Sequence, residues 1–229
     1  MTRLRHLLLV GLLAGVAAGA AASALQSFLV LPLILEAERS EAALPPAAGS
    51  EGESHAHEPS ALQRGGLTFI SNTLTGTGFG LLLAAAYSLR GAVDWRAGVA
   101  WGLAGFAAFY VAPSIGLPPS LPGSDLAELG VRQAWWVGTA AATAIGLAFV
   151  FLARGMWSKG LGIMLLILPH LIGAPQSAAR FGPPAELAQP FVLWSGFTAA
   201  VFWLVLGASS GWLFARLKNS RTQDVGHRT

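Results

Sequence analysis

His170 is the one strongly titratable side chain that falls inside a long uncharged stretch of this chain, in the run Leu168-Pro169-His170-Leu171-Ile172-Gly173-Ala174-Pro175. An imidazole nitrogen suits Co, Ni, Cu or Zn. The flanking proline and glycine interrupt helical hydrogen bonding and free backbone carbonyls for coordination, and an ionisable group at membrane depth is a functional candidate by default. The competing reading is a histidine near the outer interface that bonds a helix backbone.

Other residues could serve the same chemistry. His55, His57 and Glu58 stand at i, i+2 and i+3, and in an extended chain i and i+2 face the same way, so both imidazoles can meet one cation. A site on such a segment would be shallow and exchangeable; the alternative is a solvated polar loop. Glu36 and Glu38 close the first apolar run, where carboxylates raise the local cation concentration or simply anchor the chain at the interface. Asn72, with Gln26 and the neighbouring Ser71, Thr73, Thr75 and Thr77, offers neutral oxygen ligands within the apolar runs; such groups also bond neighbouring helices to one another. Asn72 completes a set of metal candidates made of His170, His55, His57, Glu36 and Glu38.

The elements that must position these residues follow from composition. Of 229 residues, 54% are hydrophobic and only 11% charged, against about 25% charged in soluble domains. Six stretches of 20 residues or more lack Asp, Glu, Lys and Arg: 7–35, 65–89, 97–124, 133–153, 160–179 and 187–215. About 20 apolar residues cross a bilayer as a helix. The fold expected is all-α, a polytopic membrane helix bundle of six transmembrane helices forming a single transmembrane domain over residues 1–229. The fifth run is the shortest and carries Pro169 and Pro175, so a five-span arrangement with a re-entrant or broken fifth segment is the alternative. The first run, with its alanine-rich middle, also admits a cleaved signal peptide, although its apolar character continues through Phe28 to Leu35.

Lys and Arg set orientation because they resist translocation. With six spans, ten of the 14 fall on the side of the two termini and four on the other, while nine of the 11 acidic residues take the opposite side. Both termini are therefore expected in the cytoplasm, with an acidic outer face. An acidic, flexible extracytoplasmic loop is expected over 36–64, broken by Pro45, Pro46, Gly49 and Gly52, and a short basic cytoplasmic tail over 216–229. The positive charge serves orientation, and no nucleic-acid partner is implied. Membrane lipid is the surrounding partner. Gly11, Gly15 and Gly19, and Gly98 with Gly102, repeat at four-residue spacing, which lets helix backbones approach closely, within the chain or in a homo-oligomer. Trp101, Trp135, Trp136, Trp194, Trp203 and Trp212 are assigned to interfacial belts. The hairpins of spans 2–3 and 4–5 each end in a Pro-rich element, 113–118 and 169–175, a weak internal similarity of the kind found in transporters.

Several chemistries are excluded. With no cysteine there is no disulfide framework, thiolate zinc site or iron–sulfur cluster. No H-E-x-x-H, G-x-S-x-G or phosphate-cradling Gly-Lys loop occurs, so the chain is read as neither an enzyme nor a nucleotide-driven motor, and no permanently bound cofactor is expected. A divalent cation moving inward gains about 4.6 kcal/mol per 100 mV, at about 2.3 per charge. That is enough to accumulate a trace metal. A non-conducting scaffold or assembly subunit is the other reading, and an intramembrane enzyme the most remote.

Taken in order, the segments Leu31-Pro32-Leu33-Ile34-Leu35-Glu36-Ala37-Glu38, Asn72-Thr73-Leu74-Thr75-Gly76-Thr77-Gly78, the Pro-rich run from Ala112 to Gly123, Arg132-Gln133-Ala134-Trp135-Trp136 and the run from Leu168 to Pro175 resemble the CbtA family. The resemblance covers the chain from Arg5 to about Arg216. It implies the larger membrane subunit of a bacterial cobalt transporter in the cytoplasmic (inner) membrane, with Co2+ as the transported ion, a link to cobalamin biosynthesis, and a small single-span, histidine-bearing partner subunit. It also implies five spans, where the charge pattern gives six.

Overall fold

The computed structural model describes residues 2–42, 60–90, 93–177 and 184–226, and these are mostly helical, with no strand among the described residues. In chain order the helices are α1 (Thr2–Leu25), α2 (Leu31–Ala42), α3 (Ala61–Arg90), α4 (Trp95–Phe106), α5 (Ala112–Gly116), α6 (Leu129–Leu152), α7 (Met156–Ile172) and α8 (Ala185–Gly226). Two π-helical stretches, Gln26–Val30 and Ala107–Val111, join α1 to α2 and α4 to α5.

Five helical stretches are long and apolar enough to cross a membrane: Leu4–Glu41, Leu62–Arg90, Trp95–Gly116, Leu129–Leu152 and Glu186–Leu217. The sixth apolar segment, α7, has 17 residues, about 25 Å at 1.5 Å per residue, which is less than the roughly 30 Å of a hydrocarbon core. The six runs thus resolve into five long spans and one short apolar helix. Helix also extends into two segments read from the sequence as polar. The first span continues to Ala42, so Glu36 and Glu38 are helical, and α8 continues to Gly226. His55 and His57 lie outside the described residues.

The π stretches have a local cause in the sequence. Pro32 and Pro113 each stand six residues after the first residue of their π stretch, Gln26 and Ala107. A proline ring inside a helix clashes with the carbonyl four residues back and donates no hydrogen bond. Widening the preceding turn by one residue relieves that clash. In the second stretch the wider register is visible directly, as the Ala112 N–H donates to the carbonyl of Ala107.

The chain packs as two compact units. The first is built from α1, α3, residues 95–103 of α4 and residues 198–226 of α8. Here Gly11, Gly15 and Gly19 of α1 lie against α3: a Cβ on Gly76 would come within 2.6 Å of the Gly15 carbonyl oxygen, and one on Gly80 within 2.7 Å of that of Gly11. Gly98 and Gly102 of α4 meet Gly207 and Gly211 of α8 in the same way. The glycine stripes are therefore used within the chain. Tyr87 is fully buried, shares a 3.0 Å hydrogen bond with Ser210 and meets Trp101 and Phe214 edge-on. Trp203 is buried against Phe79 and Phe202. Trp203 is thus an interior packing residue, Trp101 packs half-buried against Tyr87, and Trp212 carries the Arg216 guanidinium over its ring, 4.4 Å from the centroid.

The second unit holds α2, the π stretch 107–111, α5, α6, α7 and residues 185–197 of α8. Its tightest approach joins α6 to α7, where a Cβ on Gly162 would come within 2.7 Å of the Gly146 carbonyl oxygen. The outer face of α7 is apolar and exposed, with Leu171 and Ile172 among the barest side chains.

Candidate functional site

α7 ends because its sequence stops it. Pro169 is buried inside the last turn, and Gly173 takes φ +85, a left-handed value that favours glycine, while its N–H returns to the Pro169 carbonyl at 3.1 Å. His170 lies within this turn, half-buried. Its ring faces α6, meeting the Trp135 indole edge-on with centroids 6.4 Å apart and planes at 69°.

Trp135 is held in turn by the end of α5. A Cβ on Gly116 would come within 2.6 Å of the Trp135 ring and 2.7 Å of the Ala174 Cβ, so only glycine lets the indole and the segment after α7 close over this position. Gln176 crosses the same point, its side-chain amide directed at the carbonyls of Gly116 (3.4 Å) and Ala174 (3.3 Å). The two Pro-rich elements at the ends of successive hairpins therefore meet around Gly116 and Trp135. Residue type alone groups Trp135 with the interfacial tryptophans; the sequence signal for its place here is the Arg132-to-Trp136 segment that opens the helix following the Pro-rich stretch.

The remaining sequence candidates sit elsewhere. Asn72 belongs to the first unit, where its side-chain nitrogen donates to Ser23 Oγ at 3.0 Å and to Gln26 Oε1 at 2.7 Å. Ser27 in turn bonds the Ser23 carbonyl at 2.8 Å. Asn72 thus ties α3 to the start of the first π stretch through its nitrogen, leaving its oxygen as the only atom able to ligate a metal. Glu36 makes an exposed 3.3 Å ion pair with Arg39 on the next turn, an arrangement worth little to stability. Nearby, the Glu41 carboxylate lies over Gly123, where a Cβ would stand 3.2 Å from it.

Among the described residues there is no group of three or more His, Cys, Asp or Glu side chains that could hold a metal ion.

A family model described as probable cobalt transporter subunit (CbtA) matches residues 4–215. The chain belongs to the CbtA family. As a CbtA protein it is a membrane protein and, by that description, a subunit, which implies partner subunits. The match runs through every described span, α7 and its His170 included. Neither the curated proteins nor the solved structures contain a match.

Proposed function

We propose that this CbtA protein is the conducting subunit of a cobalt uptake transporter in the bacterial cytoplasmic membrane, that the short α7 completes a sixth crossing so that both termini lie inside, and that His170 is its point of metal contact. One observation carries the reading. The single imidazole in the second unit is turned toward Trp135 on α6, beside a helix end broken by Pro169 and Gly173, while Leu171 and Ile172 take the exposed positions.

The orientation rests on the distribution of Lys and Arg among the connections. It puts the acidic segments, Glu36 and Glu38 with them, on the outer face, where they concentrate cations before entry. His55 and His57 would add loosely held ligands on that side, and the oxygen of Asn72 a neutral one. The membrane potential drives the ion inward, each charge gaining about 2.3 kcal/mol per 100 mV. The scaffold reading drew on the glycine stripes as faces for another protein, and those stripes pack against helices of this same chain.

The test is radiolabelled Co2+ influx into vesicles holding this chain with its partner subunit, at a fixed inside-negative potential, compared with nickel and zinc. Flux should fall at least about tenfold in His170→Ala, as expected when an imidazole ligand is removed. Undiminished influx in a correctly inserted His170→Ala protein would refute the assignment of His170.

A further inference from the structure

Hydroxyls on the helices of this chain normally satisfy themselves. Ser27, Thr68, Thr77, Ser88 and Ser209 each donate to the carbonyl four residues back, at 2.6 to 3.0 Å. That is the usual resolution for Ser and Thr in a helix interior.

Thr139 and Thr143 of α6 do otherwise. They are 1% and 4% exposed, and neither Oγ1 has a hydrogen-bond partner among the described residues. Trp135, one turn earlier on the same helix, has its indole Nε1 buried and equally unpartnered. Two other threonines, Thr73 and Thr198, share the condition, but each stands singly. Residues 135, 139 and 143 are spaced i, i+4 and i+8, so they form one continuous stripe about 12 Å long at 1.5 Å per residue. A buried polar group left without a partner is costly, and three in a row on one face is a pattern that a polar guest removes. Indole and hydroxyl hydrogens donate to water, and the hydroxyl oxygens accept from it. The stripe starts beside His170 and reaches the middle of α6, which runs from Leu129 to Leu152.

We propose that Trp135, Thr139 and Thr143 form a wetted stripe on α6, a binding site for a file of water molecules along which a divalent cation passes, partly hydrated, from His170 toward the centre of the bilayer. This deepens the proposed function and rests on it for the identity of the cargo, but the wetting of the stripe stands on its own. Neutral hydroxyls fit the role. They exchange hydrogen bonds with the waters around a cation without adding a fixed charge that would trap it, and a water shell lowers the cost of carrying a double charge through a low-dielectric layer.

The chain contains no cysteine, so single thiols can be placed in it and their labelling read on this chain alone, separated from its partner. Thr139→Cys and Thr143→Cys, in the full chain in lipid vesicles with its partner subunit, are reacted with a small cationic methanethiosulfonate. Ile145→Cys serves as control, since Ile145 is half exposed on another face of the same helix. Thiols ionise and react only where water reaches them, so both stripe positions should react at least about tenfold faster than the control. Excess Co2+ should slow that reaction severalfold. Rates equal to the control overturn the wetted stripe, and fast reaction unaffected by Co2+ overturns the passage of the cation along it. If the thiol variants do not fold, hydroxyl-radical labelling of the unaltered chain decides: Trp135 should oxidise well above the buried Trp203, and equal oxidation overturns the proposal. Failure of the His170 assignment looks different, with His170→Ala still conducting while the stripe thiols keep their rates.

Discussion

The imidazole of His170 meets the indole of Trp135 edge-on, across from α7 to α6, with 6.4 Å between ring centroids. An aromatic edge contact of this kind is worth about 0.5–1.5 kcal/mol beyond the area it buries. Its larger effect is to fix the orientation of the only imidazole in the second unit. What Trp135 does for His170 is what Gly116 does for Trp135: each makes room for, or leans on, the next.

Removing the indole should therefore weaken the metal site without touching the imidazole. Trp135→Ala is expected to raise the cobalt concentration for half-maximal uptake about tenfold, the usual penalty for losing a group that orients a metal ligand. Trp135→Phe keeps a ring edge near His170 and should raise it less. Saturation curves of Co2+ influx for the two variants check this ordering, and equal effects would mean that the ring contact does not position His170.

The glycines of α3 make a controlled comparison of packing. A Cβ on Gly76 would come within 2.6 Å of the Gly15 carbonyl oxygen, whereas one on Gly78, two residues on in the same helix, would meet nothing within 4 Å. Gly76→Ala is expected to destabilise the protein by about 1–3 kcal/mol through forced separation of α1 and α3. Gly78→Ala should be neutral, or stabilising by up to about 1 kcal/mol from helix propensity. Thermal unfolding in one detergent separates the two outcomes.

How much of this was legible from the residues depends on the range of the physics involved. Apolar runs without charge announce spans because the bilayer imposes length and composition locally, and the pairing of Gly11, Gly15 and Gly19 with a neighbouring helix follows from small-residue spacing. His170 at a broken helix end was equally visible, since Pro169 and Gly173 act within one turn. The π stretches were not. Pro32 and Pro113 signal disruption, but whether a helix answers with a kink or with an extra residue depends on what the following segment packs against. Trp203 shows the same limit from another side. It lies mid-run in the last span, and its burial against Phe79 is a tertiary fact that its chemical type, shared with true interfacial tryptophans, does not reveal. The stripe of Trp135, Thr139 and Thr143 could be counted at four-residue spacing, yet its want of hydrogen-bond partners is known only once the rotamers are.

Pro113 should control the register of α5. Restoring an N–H with Pro113→Ala removes the reason for the wide turn at Ala107–Val111, and a return to ordinary α-helix would rotate α5 by about 100° relative to α4. Gly116 would then leave its place against Trp135. The expected result is a loss of cobalt influx comparable to that of Trp135→Ala, with a changed Trp135 environment measurable by quenching in a chain whose other tryptophans are phenylalanine. Normal influx in Pro113→Ala would show that the site tolerates the rotation, or that the π stretch persists without its proline.

Tyr87 and Ser210 offer the last check, on the first unit by itself. Their hydroxyls share a 3.0 Å hydrogen bond with both side chains buried, and Trp101 and Phe214 each meet the phenol ring at a steep angle. Tyr87→Phe keeps those ring contacts and deletes the bond, while Ser210→Ala deletes it from the other end. Bonds of this type between membrane helices average about 0.6 kcal/mol and reach about 1.7 in the best cases. The coupling energy from the double-mutant cycle, measured by unfolding in mixed micelles, should fall in the upper half of that range because the ring contacts already bear the ordering cost of the phenol. Ser210→Ala should lose more than the coupling itself, since it leaves the buried Tyr87 hydroxyl unpaired, whereas in Tyr87→Phe the Ser210 hydroxyl keeps its 3.2 Å bond to the Gly207 carbonyl. A coupling indistinguishable from zero would mean that the two hydroxyls are satisfied by other groups, and that α3 and α8 are joined here by the rings alone.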